Sequence, residues 1–234
     1  MELVEKTPEK MKIITDLDIS LANAIRRSVG EIDILAIDEV DIYKNDSALY
    51  DEVIAHRLGL VPIKNQKLKK DQTIEMKLKA KGKEEETEVL SGVLGDMVVY
   101  SDMPIVNLEN GQEIELVARA RQGKGNVHSK FSSGIIYYKH LPTIKISGEG
   151  EKQSELAKLY PKVFEFDDKL KVMDATSCDL DSEDVENYSG IDIDFDDKLV
   201  FNIESWGQID AKDIFTSACK ALKSNLSQVS KELK

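Results

Sequence analysis

Three short strings hold the side chains from which chemistry could be built. Asn45 to Ile63 reads NDSALYDEVIAHRLGLVPI and places His56 beside Arg57. Residues 122–134, QGKGNVHSKFSSG, combine glycines with His128 and Lys130. A run of acids, Asp179, Asp181, Glu183, Asp184 and Glu186, offers oxygen ligands for a weak calcium site. Hydrolysis or group transfer through His56 or His128 needs a nucleophile, a base and an orienting group together, and no such set stands out among three histidines and scattered acids. A phosphate cradle needs GxxxxGK[ST] or GxGxxG spacing, and the 122–134 string satisfies neither. The acids do not follow an EF-hand loop and read as solvated charge. Arg57 presents a planar fork suited to a carboxylate or to several carbonyls at once, which is recognition chemistry, not turnover.

The elements that must position these residues follow from spacing. Asp51 and Glu52 place negative charge at a helix start, Val53, Ile54 and Leu58 give an apolar face, and Gly59 and Pro62 stop the helix. Asn45, Asp51 and Glu52 take turn and capping roles. Residues 2–17 suit a strand or hairpin, through Leu3, Met11 and Ile13. Asp16–Ser20 can cap a helix in which Leu21, Ile25, Ser28, Val29 and Ile32 recur at 3–4 spacing to an end near Gly30. Strand-like alternation returns at 36–43, 74–80 and 114–121. KGKEEETE at 81–88 reads as a turn between strands, and KNQKLKK at 64–70 as a solvated turn. The 122–134 loop reads as mobile or ligand-shaped. Residues 148–197 are acidic and irregular, an insertion or linker outside any core. Leu199 to Trp206 is strand-like, Gly207 turns the chain, and Asp210 with Asp213 forms a capping pair for a last helix over 211–233. Ile214, Ala218, Leu222, Leu226 and Val229 stripe that helix. At ~1.5 Å per residue it reaches roughly 35 Å, too long for a small domain to cover. The two end helices either cover one sheet face of a lone α+β domain or offer surface to another chain, and pattern alone leaves both open.

Composition narrows the class. The chain has 234 residues, enough for one large or two modest domains, and its 41% hydrophobic content supports a core. No apolar run is long enough to span a bilayer, and MELVEKTPEK lacks the features of a signal peptide, so a cytoplasmic protein without membrane attachment is expected. A net charge of −12 argues against a primary nucleic-acid surface, because phosphate binding draws on lysine and arginine. Cys178 and Cys219 are isolated, with no CxxC pair, so neither a disulfide framework nor a structural metal site is indicated.

SLANAIRRSVGE (Ser20 to Glu31) and the HRLGLVP string, in this order and close together, resemble the assembly subunit of multi-subunit RNA polymerases. The resemblance is to the archaeal D-type subunit and its relatives, the bacterial alpha subunit and the third-largest subunit of eukaryotic RNA polymerase II. It covers most of residues 1–63 and 110–234 and includes ESWG at 204–207, where Trp206 is a core or interface anchor. The resemblance implies an α+β fold: a discontinuous dimerisation domain (1–44 plus 196–234) of two helices on a sheet, an inserted β-rich domain (45–148), and a reduced acidic insertion (149–195). It implies a non-catalytic scaffold that pairs with a small subunit L-like partner through Leu21, Ile25, Val29, Phe215, Leu222 and Leu226. An N-like small subunit and the large catalytic subunits would then assemble on it. His56, Arg57, His128 and Lys130 match family positions that contact a large subunit, Arg57 directly and His56 in support. Where relatives carry an aromatic–Ser–Pro, this chain reads Phe131-Ser132-Ser133. Many archaeal relatives hold an iron–sulfur cluster in a cysteine-rich insertion, and the eukaryotic one has a zinc-binding cysteine loop. Residues 150–195 contain only Cys178 and residues 66–92 no cysteine, so no metal and no cofactor are expected. The competing reading is a stand-alone acidic adaptor for basic proteins.

Overall fold

A computed structural model describes residues 1–69, 72–83 and 86–233. The chain is α+β and divides into two compact units. One comprises Met1–Glu5, Lys12–Ala22 and Tyr137–Asn202; the other comprises Lys6–Met11, Asn23–Ile136 and Ile203–Lys234.

The chain begins with β1 (Glu2–Lys6) and β2 (Lys10–Thr15), joined by a turn in which the Thr7 N–H donates to the Lys10 carbonyl at 2.7 Å. Helix α1 (Ile19–Arg27) starts where Asp18 Oδ1 accepts from the Ser20 N–H at 2.7 Å, the capping expected of Asp16–Ser20. A 3-10 turn over Ser28–Glu31 carries the apolar stripe on to Val29.

The larger unit is built on β3 (Asp33–Asn45), which precedes α2 (Asp51–Gly59). Next come β4 (Ile74–Lys81), β5 (Thr87–Leu90), β6 (Pro104–Leu108) and β7 (Glu113–Lys124). Strands β3, β7 and β4 form an antiparallel sheet in that order. Ile114, Leu116, Ala118 and Ala120 of β7 point to the core, as their alternation with charged neighbours requires. Their partners on β3 are, in turn, Asn45, Ile42, Val40 and Ile37, because β3 slips by one residue at Asp38 and again at Tyr43. Ile54 and Leu58 of α2 are fully buried on this sheet, whereas Val53, expected on the same face, is 41% exposed. Of the expected turn at 81–88, residues 84 and 85 lie outside the described residues, as does Lys70 of the 64–70 string.

Strand β8 (Gly134–Ile146) leads into the acidic stretch, which holds α3 (Ser154–Leu159), β9 (Phe164–Phe166), β10 (Leu170–Val172) and α4 (Ser182–Val185). Contrary to expectation, these elements enclose a core of their own, with Leu156, Phe164, Leu170, Cys178, Leu180 and Ile191 all buried. Lys12 fastens β2 to this core: its Nζ donates to Ser177 Oγ at 2.7 Å and Thr176 Oγ1 at 3.1 Å and pairs with Asp174 at 3.4 Å. Residues 149–197 hold sixteen acidic and five basic side chains, nearly the whole net charge of the protein.

β11 (Ile191–Ser205) is longer than the strand read at 199–206, and β1, β2, β11 and β8 are hydrogen-bonded in that order. Helix α5 (Ala211–Glu232) ends the fold. Asp210 is its N-cap but makes no side-chain cap bond, so the expected Asp210–Asp213 pair is absent; the Asp210 carbonyl accepts from the Asp213 and Ile214 N–H groups instead.

Candidate interaction surfaces

The turn before α2 is organised by Asn45. Its Nδ2 donates to the Leu49 carbonyl and to Asp51 Oδ1, each at 2.8 Å, and its Oδ1 accepts from Ser47 Oγ at 2.6 Å. Asp51 is thereby held at the first turn, where the helix dipole favours its charge. Arg57 is held by its own chain: Nη1 donates to the Ile105 carbonyl on β6 at 2.8 Å. His56 beside it is exposed. Gly59 is not a left-handed stop, since the helix runs through it and ends at Leu60 in a right-handed conformation. A Cβ at Gly59 would lie in ordinary contact with its neighbours, 3.7 Å from the Ile37 carbonyl and 4.0 Å from Lys130 Cδ, so the site has room for a small side chain.

Those neighbours include the loop expected to be mobile or ligand-shaped. It is packed instead. β7 extends to Lys124, and the Phe131 ring, 1% exposed, lies on the bare Cα of Gly123. Arg121 and Lys130 sit 5.4 and 5.2 Å from the ring centroid, and both pair with Asp38, the residue at the first slip of β3. Burial alone would raise the Asp38 carboxyl pKa, but hydrogen bonds from Arg121 and Lys130 outweigh it and hold the group below the usual carboxylate range. His128 caps the short turn Ser129–Phe131, its Nδ1 accepting from the Lys130 N–H at 3.2 Å. Lys130 is thus an internal brace, with a side chain only 15% exposed.

The strings that sequence reading treated separately meet at one groove of about 340 Å³. Leu60 and Pro62 follow α2, Lys130 and Ser132 come from the loop, and Trp206 and Gln208 come from the turn before α5. Tyr100 and Met103, which no motif singled out, complete it. Trp206 is no core anchor; it is 45% exposed. Its N–H donates to the Ser133 carbonyl at 3.1 Å. Gly207 turns the chain with φ +89°, and a Cβ there would meet Val99 Cγ1 at 2.6 Å and the Tyr100 hydroxyl at 2.9 Å.

The second surface is the α5 stripe. Ala211, Ile214 and Ala218 are buried, and the helix packs on the Ser28–Glu31 turn. Farther along, Leu222 is half-buried while Leu226 and Val229 are 62% and 54% exposed. Phe215 is half-buried. On α1, Leu21 is 44% exposed. Ile25 and Val29 are already buried within the chain, so little of their surface is left for a partner.

The acids at 179–186 are engaged locally. Asp181 caps α4 by accepting from the Glu183 and Asp184 N–H groups, and Asp179 pairs with Lys139 at 2.6 Å. Among the described residues, no group of three or more His, Cys, Asp or Glu side chains could hold a metal ion, and no helix is long and apolar enough to cross a membrane. Burial pushes the Cys178 thiol pKa up, which makes it a poor nucleophile.

Comparison with known proteins places these surfaces in context. Residues 13–226 match the family model of the RNA polymerase Rpb3/Rpb11 dimerisation domain. The chain is 32% identical to DNA-directed RNA polymerase subunit Rpo3 of Thermococcus kodakarensis, over 94% of this chain and 92% of that one. It is also 32% identical to the Pyrococcus furiosus Rpo3 subunit, over 95% and 92% of the two chains. Similarity extends to RNA polymerase II subunit rpb3 of Dictyostelium discoideum, 28% identical over 98% and 93%.

Proposed function

The chain belongs to the RNA polymerase Rpb3/Rpb11 dimerisation-domain family, and from that premise we propose that it is a non-catalytic assembly subunit of a DNA-directed RNA polymerase. The observation that carries the reading is the apolar stripe along the second half of α5, which the rest of the chain leaves open. Fully burying a leucine or valine side chain is worth about 1.5–3 kcal/mol, so Leu226 and Val229 supply a strong drive for association. The partner is a small subunit, L-like in the archaeal scheme, and Leu21, Phe215, Leu222 and Leu226 face it. Residues 1–44 with 196–234 act as the dimerisation domain, 45–148 as the inserted β-rich domain and 149–195 as the reduced acidic insertion.

A second face engages a large catalytic subunit, with an N-like small subunit joining the platform. It comprises His56, Arg57, His128 and Lys130. Lys130 is tied to an internal acceptor and mostly covered, so it acts there chiefly by fixing the surface; Arg57 also has an internal acceptor but is exposed, as are His56 and His128. Nucleotidyl transfer belongs to the assembled enzyme, and its cytoplasmic location follows from that role. The acid-rich stretch at 149–197 favours the alternative of a stand-alone adaptor for basic proteins, but that reading leaves the α5 stripe without a purpose.

The test is Leu222→Asp with Leu226→Asp in a tagged full-length chain expressed in its host. The polymerase subunits should co-purify with the unaltered chain and be lost from the variant while its thermal unfolding changes little. Equal recovery from both chains would sink the scaffold reading.

A further inference from the structure

Several lysines that reach the acid-rich stretch are spent on its carboxylates. Lys12 pairs with Asp174, Lys139 with Asp179, Lys145 with Asp194 and Lys169 with Glu151. Lys158 and Lys162 are not so spent: both are exposed, and neither makes an ion pair among the described residues. One lies in the last turn of α3 and the other just beyond it, and both line a cleft of about 660 Å³. Pro161, Phe164, Phe166 and Met173 give that cleft apolar walls. Phe164 is buried, whereas Phe166 and Met173 stay 37% and 63% exposed. The two carboxylates at the cleft are already matched. Asp174 accepts from Ser177 and Thr176 and pairs with Lys12, and Glu165 stands opposite Lys171 in the β9–β10 register. The charge left over is therefore positive, on a chain of net charge −12. Exposed apolar side chains beside unpaired cations complement an apolar group that carries negative charge.

We propose that this cleft docks a polypeptide segment in which one aromatic or aliphatic side chain is flanked by carboxylates. The apolar side chain sits against Phe166 and Met173, whose flexible thioether adapts to its shape, and Lys158 and Lys162 receive the flanking acids. Nucleic acid fits poorly, because its affinity grows with the number of cations engaged, and sixteen acidic side chains against five basic ones in residues 149–197 repel a run of phosphates. The same field steers an acidic segment to this spot, since elsewhere on the stretch it meets like charge. These residues all lie in the unit that holds the acid-rich stretch, whereas the assembly reading rests on α5 in the other unit, so either can fail alone.

The probe is a synthetic peptide with blocked ends, Glu-Glu-Phe-Glu-Glu, set against Lys-Lys-Phe-Lys-Lys and Glu-Glu-Ala-Glu-Glu, each raised to millimolar concentration. The readout is the methyl resonance of Met173 in the full-length chain labelled at its six methionines, assigned by its loss in Met173→Leu. The first peptide should move that signal saturably, and less strongly as salt is added; the other two should leave it in place. Lys158→Glu with Lys162→Glu alters only exposed, unpaired side chains, so thermal unfolding should be unchanged. Affinity for the acidic peptide should fall about tenfold, and the preference should pass to the lysine peptide. A Met173 signal that the acidic peptide does not move overturns the proposal. So does an equal response of the unaltered chain to the acidic and basic peptides, or an acidic preference that survives the double charge reversal. A Met173 shift on concentrating the chain without peptide assigns the cleft to a second copy and equally refutes it.

Discussion

Replacing Gly123 with alanine drives a methyl group into the Phe131 ring. The new Cβ would lie 2.6 Å from Phe131 Cε2, and ordinary contacts begin near 3.4 Å, so the ring must retreat by ~0.8 Å. It has little room to do so, being 1% exposed, flanked by Arg121 and Lys130 and resting on β7. Overpacking of this kind costs ~1–3 kcal/mol, and displacing the ring from two cations adds ~0.5–1 kcal/mol for each. The sum, roughly 2–5 kcal/mol, should lower Tm by about 6–15 °C for a chain of this size. Phe131→Leu trims the ring and should recover part of that loss. In a thermal-unfolding double-mutant cycle, the double variant should therefore be more stable than the sum of the singles by ~1–2 kcal/mol. Simple additivity would show that the ring does not rest on Gly123 and would dissolve the account of why this loop is ordered.

Three further expectations follow from single contacts. Asp174 is held at a pKa of about 2: burial would raise it, but hydrogen bonds from Ser177 and Thr176 and the charge of Lys12 outweigh that. Its stabilisation is therefore complete above pH ~4 and lost as pH falls towards 2. The full shift is worth ~2.4 kcal/mol, reduced to ~1 kcal/mol because the carboxyl is 36% exposed, so Asp174→Asn should flatten the acid limb of urea midpoints taken from pH 5 to 2.5. Leu58→Ala empties a fully buried site under α2 and should lower stability by ~2–5 kcal/mol in urea; a loss below 1 kcal/mol would contradict its place in the core. Gly207→Ala should cost clearly more than Gly95→Ala, because both adopt positive φ but only Gly207 has atoms waiting where the methyl would go; it should also change the Trp206 emission maximum, and equal losses would remove the case for a tightly set turn.

Sequence alone revealed what local periodicity encodes. β4 and β7 are half-buried strands whose apolar residues alternate with charge, and α5 repeats its apolar residues every three to four positions. The core within the acidic stretch was hidden because Leu156, Phe164, Leu170, Leu180 and Ile191 follow no period and stand among sixteen acids. The ordered 122–134 loop depends on Phe131 covering a glycine eight residues earlier and on Asp38, both nonlocal. The groove escaped notice because its walls come from segments far apart in the chain, and because Tyr100 and Met103 lie in no motif.

The two slips in β3 give that strand an odd arithmetic. Leu35 and Ile37 face the core on odd numbers, Val40 and Ile42 on even ones, and Asn45 on an odd one again. Each slip inverts parity and the second undoes the first. Deleting Asp38, the extra residue at the first slip, would remove that slip and leave Val40 and Ile42 facing inwards on the same β7 partners. Deleting Tyr43 would likewise remove the second, so a single-residue loss at either slip should keep the inward set of β3, at the cost, for Asp38, of its pairs with Arg121 and Lys130.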